Sequence, residues 1–129
     1  YEMKTKRQIK SFVLKTLLPY KEDPSTCGYD KEENVCQYLT KEGKKCAFGK
    51  WMKKGPWQDS FSDAYGVFRE YTQKGVLLKP ALGMDFSTEV WREIQGYHDA
   101  VALDKKTGAT RALVEIEALL EIDLPELRF

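Results

Sequence analysis

Apolar residues recur at three- and four-residue intervals in four stretches of the chain, and each stretch predicts an amphipathic helix. In the first, about residues 2–18, Ile9, Phe12, Val13 and Leu17 share one face, while Lys4, Arg7, Lys10 and Lys15 are left outside. Pro19 is expected to end it, because proline has no N–H to give and its ring crowds the preceding turn. In the second, Ser60 with Asp63 resembles a capping box, Ala64, Val67, Phe68 and Tyr71 make the stripe, and Gly75 is the expected stop. The third starts after Asp85 or Ser87 and runs to about residue 103, with Val90, Trp91, Ile94, His98, Val101 and Ala102 along one face. The fourth covers about residues 109–122, where Ala112, Leu113, Ile116, Leu119 and Leu120 point inward and Glu115, Glu117 and Glu121 stay in water.

The segments between them carry turn chemistry. Residues 20–34 are polar and read as a connector turning at Asp23-Pro24-Ser25. Residues 36–49 predict a β-hairpin that reverses at Gly43, where glycine supplies the positive φ of a tight turn. Gly49 to Lys54 has the makings of a short helix that inserts Trp51 and Met52 into the core, broken by Gly55-Pro56. Residues 76–84 read as a buried connection, and Lys105-Lys106-Thr107-Gly108 as a loop. The fold class expected is therefore α+β and mostly helical: about four helices packed with one small antiparallel β-hairpin, in one domain over residues 1–129.

Composition changes this picture little. A chain of 129 residues that is 42% hydrophobic and 32% charged suits one folded core and excludes a disordered tail. No apolar run approaches the roughly 20 residues of a membrane span, and no signal-peptide pattern stands at the amino end. Three cysteines without CxxC spacing fit a reducing compartment, so the expected setting is cytoplasmic.

Charge is more telling, since the net value of +1 hides a dipole. Residues 1–54 hold 13 Lys or Arg against 7 Asp or Glu, and residues 55–129 hold 8 against 13. That division bears on partners and steering, unless the two halves simply pair with each other or present solvated faces.

Three constellations are candidates for chemistry. His98 is the only histidine, so acid–base work near neutral pH falls to it. Its place on the apolar face favours a histidine satisfied inside a core, and neighbouring helical residues point about 100° apart, so Asp99 is not expected to orient it. Cys36 and Cys46 stand ten positions apart and face one side of a regular hairpin. With His98, and Cys27 or Asp99 as fourth ligand, they make a possible zinc site; a cross-strand disulfide and small buried hydrophobes are the competing readings. The gaps lack the close cysteine pairs of structural zinc sites, so no cofactor is the expectation, with zinc the one candidate metal.

The third constellation is a basic and aromatic segment, Lys41, Lys44, Lys45, Lys50, Trp51, Lys53 and Lys54, flanked by Tyr38, Phe48 and Trp57. Such a surface suits nucleic acid, a nucleotide or an acidic protein surface; the competing reading is that the aromatics form core while the lysines keep the hairpin edge from aggregating. No arginine stands between Arg7 and Arg69, which weighs against bidentate phosphate or base-edge recognition. No phosphate loop, nucleophile elbow or HExxH sequence is present.

Cys36-Gln37-Tyr38, Gly43-Lys44-Lys45-Cys46-Ala47-Phe48-Gly49 and Ile94-Gln95-Gly96-Tyr97-His98-Asp99 together resemble a group of small phage and prophage proteins. These share Cys-x-Tyr, a Gly-x-x-Cys-Ala-x-Gly turn and a later Gln-x-x-His-Asp. The resemblance covers about the middle half of the chain. It implies a phage or mobile-element origin, suggests that Cys36, Cys46 and His98 belong together, and implies no reaction. The function expected is a non-catalytic binding protein, an accessory factor that contacts a host protein or small ligand in the host cytoplasm. The alternatives are a metal-dependent or acid–base enzyme using His98 with Cys36, Cys46 and Asp99, and a nucleic-acid-binding module.

Overall fold

The computed structural model describes residues 5–30, 35–36, 44–45, 47 and 86–129. Within them, helix α1 spans Lys6–Glu22 and a 3₁₀ turn Pro24–Thr26. Two minimal strands follow, β1 (Tyr29–Asp30) and β2 (Val35–Cys36). Helix α2 (Thr88–Ala102) and helix α3 (Lys106–Leu120) come next, and a 3₁₀ turn at Pro125–Leu127 lies near the carboxyl end. No helix among the described residues is long and apolar enough to cross a membrane.

The α+β expectation is corrected: the described residues make a helical fold of three helices. Extended pairing there amounts to two residues on each side, Tyr29 opposite Cys36 and Asp30 opposite Val35. A ladder this short builds no layer for helices to pack on, and it lies upstream of the reversal expected at Gly43. Cys36 pairs with Tyr29 across that ladder, and residues 37–43, 46 and 48–49 of the expected hairpin lie outside the described residues. The helix expected over residues 60–75, the short one at residues 49–54 and the connection at 76–84 lie outside the described residues.

Local chemistry explains the helix boundaries. Thr5 caps α1 by accepting from the Gln8 N–H at 3.1 Å, while Gln8 Oε1 accepts from the Thr5 N–H at 2.8 Å, a complete capping box. Pro19 does not end α1, which runs on to Glu22 with the proline inside it. The missing N–H removes one bond, and the following turn holds because Tyr20 is buried and anchored at its hydroxyl, as described below. The connector then behaves as its composition predicts: the Asp23 carboxylate accepts from Ser25 N–H at 3.2 Å and Ser25 Oγ at 2.6 Å.

Ser87 caps α2 by accepting from the Val90 N–H. The turn between α2 and α3 is a Schellman motif, with Asp104 N–H donating to Val101 O and Lys105 N–H to Ala100 O. Asp104 supplies the left-handed residue at φ 55°. The loop expected at 105–108 is therefore shorter than the sequence suggested, and Lys106, Thr107 and Gly108 form the first turn of α3.

Helix α2 is the centre of the molecule. Trp91, Ile94, Tyr97 and His98 are wholly buried, and α2 packs on both α3 and α1. Phe12 of α1 meets Phe86 and Trp91 edge-on, with centroids 5.6 and 6.0 Å apart. Val13, Leu17, Leu113, Ile116, Leu124 and Leu127 complete the same core. Leu119, expected to face inward, is exposed.

Candidate functional site

His98 sits on the third turn of α2, on the face that the apolar spacing buries, and its side chain is wholly shielded from solvent. Its imidazole is held at both nitrogens. The Gly28 N–H donates to Nε2 at 3.0 Å, and Nδ1 lies 2.8 Å from Asp99 Oδ1. A backbone N–H is always a donor, so Nε2 must present its lone pair, and the ring proton of the neutral imidazole belongs on Nδ1. Nδ1–H then donates to the Asp99 carboxylate, a charge-assisted bond.

Gln95 stands one turn earlier and completes the group. Its Nε2 donates to the same Asp99 oxygen at 2.9 Å, which brings it within 3.4 Å of His98 Nδ1. Asp99 does orient its neighbour, contrary to the expectation drawn from their 100° separation. Nδ1 lies close to the backbone, and a carboxylate on the adjacent residue reaches it across the helix surface.

Three other elements close around the ring. Tyr20 of α1 packs edge-on against it with centroids 4.6 Å apart, and its hydroxyl donates to the Lys45 carbonyl at 2.7 Å. The buried thiol of Cys27 lies 3.8 Å from the His98 carbonyl oxygen. Gly28, beside it, is buried as well. One imidazole thus ties α2 to α1 and to the turn that follows α1.

This arrangement is suited to holding segments together. A general base needs an open nitrogen and a path for substrate, and His98 has both nitrogens engaged in a sealed core. Among the described residues, no group of three or more His, Cys, Asp or Glu side chains is placed to hold a metal ion. Of the cluster expected from the sequence, His98 and Asp99 do come together. Cys27 joins them through its thiol and the His98 carbonyl, not through the imidazole. Cys36 is described only as backbone in β2, and Cys46 lies outside the described residues.

The basic segment is visible at three residues. Lys44 and Lys45 are exposed and Ala47 is wholly buried. With the Lys45 carbonyl accepting from Tyr20, this short stretch is pinned to the core through its backbone while its two lysines face outward. Lys41, Lys50, Trp51, Lys53 and Lys54 lie outside the described residues.

Several participants escaped sequence reasoning. Gln95 carried a usable signal, standing three residues before His98 and four before Asp99 on one helix face. Tyr20 was hidden by the expectation that Pro19 stops α1, and Gly28 offers only a backbone N–H, which no pattern advertises. Glu117 was read as solvated, yet its carboxylate accepts from the Leu124 N–H at 2.7 Å and from Arg128 at 2.9 Å. It is the clamp on the segment after α3.

Buried Tyr97, whose hydroxyl donates to the Leu127 carbonyl at 2.8 Å, has its phenol pushed well above the ordinary range by desolvation. It therefore serves as a neutral donor and not as a titrating group. Comparisons with protein-family models, with curated proteins and with solved structures return no match.

Proposed function

We propose that this chain is a non-catalytic binding protein, a phage accessory factor that works in the host cytoplasm by contacting a host protein through the basic segment at residues 41–54. The observation that carries the proposal is the state of His98. The chain's one histidine is spent inside the core, holding Gly28 and Asp99, which leaves acid–base chemistry without its natural agent. The backbone anchor at Lys45 adds support, because it ties the chain to Tyr20 where Lys44 and Lys45 are exposed.

The test is charge reversal. Lys41, Lys44, Lys45, Lys50 and Lys53 are changed together to Glu, with the circular dichroism spectrum as the check on folding. Capture of a defined host protein should be lost while the spectrum stays unchanged; retained capture would refute the proposal. Elemental analysis and salt-dependent retention on DNA separate the other classes. One equivalent of zinc, or retention that falls steeply with salt, would favour the metal or nucleic-acid readings instead.

A further inference from the structure

The outer face of α3 carries a second candidate surface, formed by described residues 106–114 and 129. Lys106, Thr107, Thr110, Arg111, Val114 and Phe129 line an open groove of about 570 Å³. The first five lie on one side of α3, and Phe129 forms the opposite wall. Val114 is 55% exposed and Phe129 is 53% exposed, the highest values for large apolar residues among the described ones. Phe129 is nonetheless held in place: its ring stacks on Tyr97 with centroids 6.2 Å apart, and Lys21 Nζ lies 5.6 Å above it. An apolar notch fixed on both sides and left open to water is costly to keep uncovered.

The charge of the groove selects its occupant. Both charged side chains that line it are cations, and among the described residues neither Lys106 nor Arg111 pairs with a carboxylate. Nearby Arg128, by contrast, is already engaged with Glu117 and Asp123. The amino end of α3 adds to the same sign, since Lys105 at the cap makes no side-chain hydrogen bond and the first turn holds no acidic residue. The positive end of the helix dipole lies at the Lys106 end of the groove.

We propose that this groove docks a short, extended acidic segment of another protein. An aliphatic or aromatic side chain of that segment sits between Val114 and Phe129, and its carboxylates meet Arg111 and Lys106. From Lys106 to Val114 is about 12 Å at roughly 1.5 Å per helical residue, a span that about four extended residues cover. The inference rests on the binding-protein reading above and gives it a second partner surface with a defined chemistry. The exposed apolar pair favours a peptide over nucleic acid, because a phosphate backbone would leave Val114 uncovered.

The probe is a capped hexapeptide with one central leucine flanked by glutamates, titrated into the full chain and followed by amide chemical shifts. Binding should move the amides of Thr107, Thr110 and Val114. Arg111→Glu should weaken it at least about tenfold, and so should Val114→Glu. Both positions are exposed, so the variants keep the fold, and the unperturbed shifts of α2 verify it. Peptides with lysine for glutamate, or glycine for leucine, should bind more weakly by a similar factor.

Shifts confined to Lys44 and Lys45 would overturn the groove and leave the binding-protein reading standing. Equal binding by Arg111→Glu, or preference for a single-stranded oligonucleotide over the peptide, would overturn the groove as well. So would concentration-dependent self-association that Arg111→Glu abolishes, which would assign the groove to a second copy. Loss of the binding-protein reading shows elsewhere, as host-protein capture that survives reversal of the five lysines.

Discussion

At the scale of single residues, the environment of each titratable group decides whether it works or holds. Glu93 on α2 is partly buried, and that burial, followed by the nearby charges of Glu115 and Glu89, raises its carboxyl above the ordinary range; Arg92 opposes the shift. The sign of the pH effect follows. A carboxyl whose pKa is higher in the folded chain than in the unfolded one favours folding below the unfolded value, about 4.3. That contribution is lost as pH rises through the folded value. At neutral pH the charge on Glu93 therefore works against the fold, and Glu93→Gln is expected to raise the melting temperature at pH 7. The gain should shrink toward zero near pH 3.5, and thermal unfolding of both proteins at the two pH values checks it. A gain that is the same at both values would show that packing, not charge, is responsible.

At the scale of elements, helix ends and their clamps determine where the chain turns. The segment after α3 leaves the helix through Glu121 at φ 53° and is drawn back by Glu117, whose side chain is only 15% exposed. Leu124 and Leu127 are wholly buried as a result, and Lys10 of α1 meets Glu126 at 3.3 Å. Glu117→Ala leaves the Leu124 N–H without its acceptor, a loss of about 1–3 kcal/mol. Amide exchange over residues 122–129 should speed up while α2 keeps its protection; uniform acceleration across the chain would contradict a local clamp. The Lys10–Glu126 pair also shows that part of the charge division joins the basic first half to the acidic second half.

Elements with their own local signal were legible in advance. The Ser87 cap and the stripe from Val90 to Ala102 gave α2 nearly to the residue. The stop at Pro19 and the loop at 105–108 were not legible, because tertiary anchoring of Tyr20 and a left-handed aspartate overrode the usual proline and glycine cues. The expected hairpin rested on turn chemistry at Gly43 alone, with no alternating apolar pattern behind it.

At the scale of the whole molecule, one wholly buried imidazole joins α2 to two neighbouring parts of the chain about 70 positions earlier: α1 through Tyr20 and the following turn through Gly28. The burial of His98 was readable from its spacing to Trp91 and Ile94. Its partners were not, because a backbone N–H 70 positions away leaves no trace in composition or periodicity. The same hub pins Lys45 by way of Tyr20, so Lys44 and Lys45, the described part of the surface proposed for partner binding, stand next to the core that His98 closes. The direct test of this account is the tautomer of His98, read at neutral pH from long-range ¹H–¹⁵N correlations of the ring in the full chain. The account predicts a single protected ring with the proton on Nδ1 and a bare Nε2 that accepts from Gly28. A ring protonated at Nε2, or one exchanging rapidly between tautomers in contact with solvent, would contradict it and return His98 to the list of available bases.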